Sequence, residues 1–218
     1  ANRAEKTLKI IDNGIGMNTD EVRRFIGTIA QSGTKSYAQM NKDFKSRPEL
    51  IGQFGVGFYS AFMVADSISV LTRRAGEETA TLWTSPGDGS FTVEPASRPD
   101  IGTTITLHLR PADEENQLAD FTSDWTLRST LKKYSDFIQH PIKLKTIREE
   151  RPRDDEGNPI AEAPAEKVVS WEVVNSMKAL WTRPSSEIKP EEYSDFYKHV
   201  SRDWNDPLET IHFKAEGT

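Results

Sequence analysis

Two short strings hold the residues best suited to chemistry, Asp12-Asn13-Gly14-Ile15-Gly16-Met17 and Gly52-Gln53-Phe54-Gly55-Val56-Gly57. The first sets a carboxylate at the end of an apolar run, Leu8 to Ile11, and follows it with two glycines that let the backbone bend. An ionised carboxylate only accepts hydrogen bonds, so Asp12 suits an exocyclic amine such as the one adenine presents. The thioether of Met17 offers a soft apolar surface to a purine face. The second string has the form G-x-x-G-x-G ahead of a helical pattern. There the backbone amides of Gly55, Val56, Gly57 and Phe58 are predicted to face a polyphosphate at a helix N-terminus, with no side chain required. No Lys-Ser or Lys-Thr follows, so this is not a Walker A loop, and its glycine spacing reverses the dinucleotide fingerprint. By itself such a turn fits close packing as well. Asn13-Gly14 also fits a hairpin turn, but the residues after it repeat at helical rather than alternating intervals.

The elements that must position these strings can be read from the same chain. Asn18 and Glu21 have capping-box spacing, and Val22, Phe25, Ile26 and Ile29 follow at helical intervals. Gln31 to Glu49 is polar without a firm period and is expected to be a mobile cover. Phe58 to Val64 is predicted to be a helix. Ser67 to Thr72, Ala80 to Thr84, Phe91 to Glu94 and Thr103 to Leu109 alternate as strands of an antiparallel sheet, with a turn at Pro86 to Gly89. Asp124 is expected to cap a helix whose stripe is Leu127, Leu131, Tyr134 and Ile138, stopped by Pro141. From Arg148 to Lys167 the chain is rich in Arg, Asp, Glu, Pro and Ala, the composition of a linker. Beyond it, Pro190 stands at a first helical position before Tyr193, Phe196, Tyr197 and Val200.

Composition narrows the function classes. The 218 residues include no cysteine, which excludes a disulfide framework, a thiolate nucleophile and a cysteine zinc site. A net charge of -6 gives no electrostatic reason to expect nucleic acid or an anionic membrane as a partner. No apolar run approaches the length of a membrane span. His108 alternates within a strand and reads as a sheet-surface residue. His140, His199 and His212 share no metal-ligand spacing, so no metal site is expected. The carboxylate pairs Glu114-Glu115, Glu149-Glu150 and Asp154-Asp155 read as solvated. The chain opens almost directly on a strand and ends without a closing element, which is expected of a piece of a longer protein.

Successive strings resemble motifs of the ninety-kilodalton heat-shock chaperones, in their bacterial form. They are Asp12 to Met17, Ile26 to Ala30 with Ser32 to Lys35, Leu50 to Phe62, and Gly102-Thr103. The likeness continues in Ala179 to Arg183, in Glu191 to Tyr193 with Phe196 to His199, and in Asp203 to Leu208. The pocket strings are shared more loosely with gyrase-type topoisomerases, MutL-type repair proteins and histidine kinases, whereas the later strings are similar to the start of the chaperones' middle domain.

The resemblance implies a two-layer α/β sandwich of the Bergerat (GHKL) ATPase type, followed by the start of a second α/β domain. It implies a nucleotide domain over 1–147 with an ATP lid near 18–50, a charged linker over 148–167, and the start of a middle domain over 168–218. Binding of ATP with Mg2+, a homodimeric parent, unfolded client proteins as partners and a cytoplasmic location come with it. By position, Asp12 would take the adenine amine, helped by Thr103 through a water, while Gly16 and Met17 line the base site. Phe54 would pack near the nucleoside, and Gly55, Val56, Gly57 and Phe58 would cradle the phosphates. Two departures bear on affinity: Gln31 stands where relatives commonly have Lys, and Phe25 where they carry a polar residue. The family's general-base Glu and magnesium-binding Asn belong to a helix ahead of the first strand, and its catalytic Arg to a later motif. No residue here is assigned those roles, so the parent is expected to hydrolyse ATP and this piece is not. The alternatives are a noncatalytic interaction module and a related ATPase of the gyrase or MutL type.

Overall fold

Alternation along the strand segments produces a sheet with one strongly buried face. The computed structural model describes residues 1–28, 31, 33, 52, 54–150, 166–177 and 179–213. Two compact units divide the chain, Ala1–Ser123 and Asp124–Thr218.

In the first unit β1 (Thr7–Asp12), β2 (Ala65–Arg73), β3 (Ala80–Ser85), β4 (Thr92–Ala96) and β5 (Gly102–Leu109) form an antiparallel sheet of order β1-β5-β2-β3-β4. Directly opposed residues share a face, so the register reads as rows across the sheet. Leu8, Leu107, Ile68 and Ser85 make one row, and Ile10, Ile105, Val70, Trp83 and Val93 the next. A third row is Asp12, Thr103, Thr72 and Thr81, where the apolar pattern gives way to hydroxyls that are nonetheless buried.

This face is covered by α1 (Thr19–Phe25) and by a short helix at Gly57–Met63. The capping box is formed: the Asn18 side chain accepts from the Glu21 N–H, and the Glu21 carboxylate accepts from the Asn18 N–H, each at 3.0 Å. The box leaves Val22 pointing into the core, where it is fully buried with Ile68, Val70, Trp83 and Leu107. Asn13-Gly14 therefore joins a strand to a loop and helix, not to a second strand. The sheet also takes β1 as an edge strand beside β5, a pairing outside the four-strand expectation.

The helix predicted over Phe58 to Val64 is a 3-10 helix. Its bonds close at three residues, as from the Val64 N–H to the Ala61 carbonyl at 3.1 Å. Phe58 meets Trp83 edge to face at 5.6 Å, and Phe62 meets Phe58 at 6.5 Å. Aromatic packing on the sheet, not a long amphipathic stripe, is what this segment satisfies.

In the second unit α2 (Asp124–Tyr134) leads to the hairpin strands β6 (Lys143–Glu150) and β7 (Glu166–Val173), and α3 (Pro190–Ser201) follows. Both flanks of the expected linker, Arg148–Glu150 and Glu166-Lys167, are therefore paired strand. The stripe expected on α2 is shorter than predicted. Leu127 is buried, but the helix ends at Tyr134, which is exposed under the Lys133 ammonium, and Ile138 lies beyond it. What stops the helix is a polar knot that propensity does not reveal. Buried Asp136 accepts from the Lys132 ammonium at 2.8 Å and from the Ser176 N–H at 2.7 Å. Asn175 donates to the Ile138 and His140 carbonyls and accepts from the Ile142 N–H at 2.7 Å, fixing the turn before β6. Pro190 occupies the first turn of α3 as expected, and Phe196 packs with Phe137 and Trp181. Trp204, beyond the end of α3, is exposed.

Candidate nucleotide site

Asp12 closes β1 opposite Thr103, where the polar row meets the edge of the sheet. Two backbone donors converge on one carboxylate oxygen: the Gly14 N–H at 2.9 Å and the Thr103 N–H at 3.2 Å both reach Oδ1. The first bond is the local Asx-type turn that an Asp before Asn-Gly favours. The second ties the side chain to the neighbouring strand. Together they fix the carboxylate's direction while the residue stays exposed, and among the described residues no hydrogen bond occupies Oδ2. An anchored acceptor with a free lone-pair face is what an amine donor requires.

Gly102 makes this possible by having no side chain. Its φ is +108°, and a Cβ there would lie 2.3 Å from the Asp12 carbonyl oxygen. Gly16 does the same on the other side. At φ +70° its hydrogen faces the Arg73 carbonyl, where a Cβ would come within 2.0 Å. The loop is stitched to β2 by the Ala75 N–H to the Ile15 carbonyl at 2.8 Å and the Met17 N–H to the Thr72 hydroxyl at 2.9 Å. Met17 thereby sits half-buried against the core cluster.

Four of the residues singled out from sequence, Asp12, Gly16, Met17 and Thr103, are thus drawn together. Thr103 reaches Asp12 by its own amide, while its hydroxyl lies 3.1 Å from that of Thr72.

The second string stands apart from this cluster. Among the described residues no hydrogen bond joins Phe54, Gly55, Val56, Gly57 or Phe58 to the Asp12 group. The two are linked through the core, which Phe58 and Met17 both touch, and through α1. The Tyr59 hydroxyl donates to the Ile26 carbonyl at 2.7 Å, and burial pushes its phenol up, which keeps it a donor. Gly55 lies against the Gln31 backbone, so close that a Cβ would be 2.3 Å from the Gln31 carbonyl oxygen. The Gln31 side chain accepts from Arg24 at 3.3 Å. Gly57 faces open space with Val56 exposed before it, and Phe54 is largely exposed. Gly57 therefore has room where a side chain would stand, whereas the wall expected from Phe54 is largely exposed. Most of the predicted cover, including Ile29 and 34–50, lies outside the described residues.

Sequence reading missed Thr72, Thr81 and Thr19. The Thr19 and Thr81 hydroxyls meet at 2.8 Å, which pins the start of α1 to the end of the polar row. A threonine in an alternating strand is an ordinary β-branched residue, so only the register reveals that three of them line up with Asp12. Arg74 pairs with Glu21, and Arg98 donates to the Asp12 carbonyl at 3.4 Å, two further contacts without a sequence signature. Among the described residues no group of three metal-binding side chains gathers, and no helix is long and apolar enough to cross a membrane.

Comparison with known families places this α/β domain in the class of ATPases that includes histidine kinases and gyrase. Residues 1–87 match the model described as histidine kinase-, DNA gyrase B-, and HSP90-like ATPase, and residues 146–218 match the model described as Hsp90 protein. The chain is 51% identical over 218 residues to the chaperone protein HtpG of Bdellovibrio bacteriovorus, covering 100% of this chain and 32% of that protein. The HtpG of Salinispora arenicola is 50% identical over 216 residues, 98% of this chain and 32% of that protein. The HtpG of Mycobacterium tuberculosis is 49% identical over 221 residues, 100% of this chain and 34% of that protein. The chain belongs to the heat-shock protein 90 family. It spans about a third of the length of the relatives it matches.

Proposed function

We propose that these residues are the nucleotide-binding region and the segment following it in an ATP-dependent chaperone, which couples ATP binding and hydrolysis to the folding of client proteins. The carrying observation is the Asp12 carboxylate, held by two backbone amides on one oxygen and, among the described residues, without a hydrogen bond on the other. In this reading Asp12 accepts the adenine amine and Met17 supports the base. Gly16 permits close approach, Thr103 holds the carboxylate, and the amides from Gly55 to Phe58 meet the phosphates beside Phe54. Mg2+ would accompany the phosphates of the nucleotide, and no residue of these 218 is assigned to it.

Residues 1–147 would form the nucleotide domain with its lid near 18–50, 148–167 the linker, and 168–218 the start of the middle domain. The Hsp90 match beginning at residue 146 supports that boundary, while the compact units divide earlier, after Ser123. The parent would be a cytoplasmic homodimer acting on unfolded clients without nucleic acid or membrane. The 218-residue piece by itself would bind nucleotide without turning it over, since no residue in it takes the general-base role that the resemblance assigns to a preceding helix.

Titration of the full-length protein with ADP and Mg2+, beside its Asp12→Asn variant, tests the reading. The variant keeps the shape but offers an amide in place of an anionic acceptor, and its affinity is expected to fall by at least tenfold, about 1.4 kcal/mol. Equal affinities would remove Asp12 from the base site. Phosphate release by the 218-residue piece would overturn the assignment of hydrolysis to residues outside it.

A further inference from the structure

We propose that Thr72 is a positioning residue of the base site, whose buried hydroxyl holds the Gly16-Met17 segment and, through Thr103, sets the direction of the Asp12 carboxylate; this rests on the adenine-site reading. Thr72 is fully buried on the central strand β2, flanked by Thr103 on β5 and Thr81 on β3. The two rows beneath it are apolar at the same β2 face, Val70 and Ile68, both fully buried. Valine has the same shape as threonine and would fill this site without a polar atom, so the packing alone gives no reason for a hydroxyl.

The hydrogen bonds supply the reason. Thr72 Oγ1 accepts from the Met17 N–H at 2.9 Å, donates to the Gly102 carbonyl at 3.2 Å, and lies 3.1 Å from the Thr103 hydroxyl, which can donate to it. One donor and two acceptor sites are all that a hydroxyl has. Its three partners come from the two segments that build the base site, residues 15–17 and 102–103. Thr103 in turn presents its N–H to Asp12 Oδ1 at 3.2 Å, the longer of the two bonds anchoring the carboxylate. With the hydroxyl gone, the Thr103 hydroxyl and the Gly102 carbonyl lose a partner on β2 while the strand pairing remains, and the Met17 N–H loses its partner. The end of β5 is then held less firmly, and the Asp12 carboxylate depends more on the local bond from Gly14. A carboxylate held less firmly can rotate, so selectivity for an amine donor falls more than general nucleotide affinity.

The experiment measures ADP and inosine diphosphate, which carries a carbonyl in place of the amine, against full-length wild type, Thr72→Val, Thr72→Ser and Asp12→Asn. Wild type is expected to favour ADP, and Asp12→Asn to lose that preference. Thr72→Val should reduce the ADP-to-IDP affinity ratio by about tenfold, and Thr72→Ser should retain it. A ratio unchanged in Thr72→Val, or an equal loss for both nucleotides, overturns the positioning role while leaving the Asp12 reading intact. Absence of any ADP preference in wild type overturns the base-site reading and this inference with it. Should Thr72→Val not fold, hydrogen exchange of wild type decides: a Met17 amide protected relative to exposed loop amides supports the clamp, and one exchanging as fast as they do refutes it.

Discussion

Replacing Gly16 by alanine probes the seam between the base loop and β2. A Cβ at this residue would lie 2.0 Å from the Arg73 carbonyl oxygen and 2.6 Å from its carbon, far inside an ordinary contact of 3.4 Å or more. Both atoms are backbone, so no rotamer can give way and the loop must retreat by more than an ångström. That retreat breaks the Met17 N–H bond to Thr72 and the Ala75 N–H bond to Ile15, each worth about 1 kcal/mol. The left-handed backbone adds about 1 kcal/mol for a residue with a side chain. The expected loss is therefore about 3 kcal/mol, out of a typical total of roughly 5–15 kcal/mol. Gly76→Ala separates the contributions, because Gly76 is also left-handed at φ +85° but has nothing within 4 Å of its Cβ position. It should lose only the conformational part, about 1 kcal/mol. Urea unfolding followed by circular dichroism, with unchanged slopes, reads both values. Equal losses for the two variants would refute the seam, because the close approach to Arg73 would then carry no energy.

Three further outcomes follow from the same geometry. Gly57→Ala places its methyl in open space, so stability should stay within about 0.5 kcal/mol while ADP affinity falls severalfold by calorimetry; unchanged affinity would take Gly57 out of the phosphate site. Trp83 is buried between Phe58 and Phe91, and Trp83→Ala should cost about 3–5 kcal/mol in denaturant unfolding, whereas a loss below about 1 kcal/mol would contradict its place in the core. Burial by itself would raise the Asp136 carboxyl, but the Lys132 ammonium and the Ser176 N–H outweigh it and hold the group below its ordinary range. Its stabilisation is therefore fully present above the unfolded value of about 3.9 and is lost as pH falls through the lower folded value. Asp136→Asn should be less stable near neutrality and should show a flatter acid limb below about pH 4; identical acid limbs would count against the paired carboxylate.

Much of the site was legible because its chemistry is local. Asp12 sits two residues before the glycine whose amide it accepts, and the Asn18 and Glu21 box needs only one helical turn. The strand segments were legible for the same reason, since alternation is a property of neighbours. The helix after Gly57 was harder. Seven residues are compatible with either winding, and aromatic packing on Trp83 accompanies the tighter one. The end of α2 also escaped, because Asp136 finds its partner Ser176 40 residues away.

The amino-acid order alone determined a carboxylate at a strand end, two glycine turns, a capped helix and the family resemblance. It could do so because each depends on residues within a few positions of one another. Only the tertiary structure decided that Asp12, Thr103, Thr72 and Thr81 form one row, with Gly16 and Gly102 pressed against neighbouring backbone. The physical reason is register: these contacts join strands far apart in sequence, and a slip of one residue would turn every side chain of a strand to the other face.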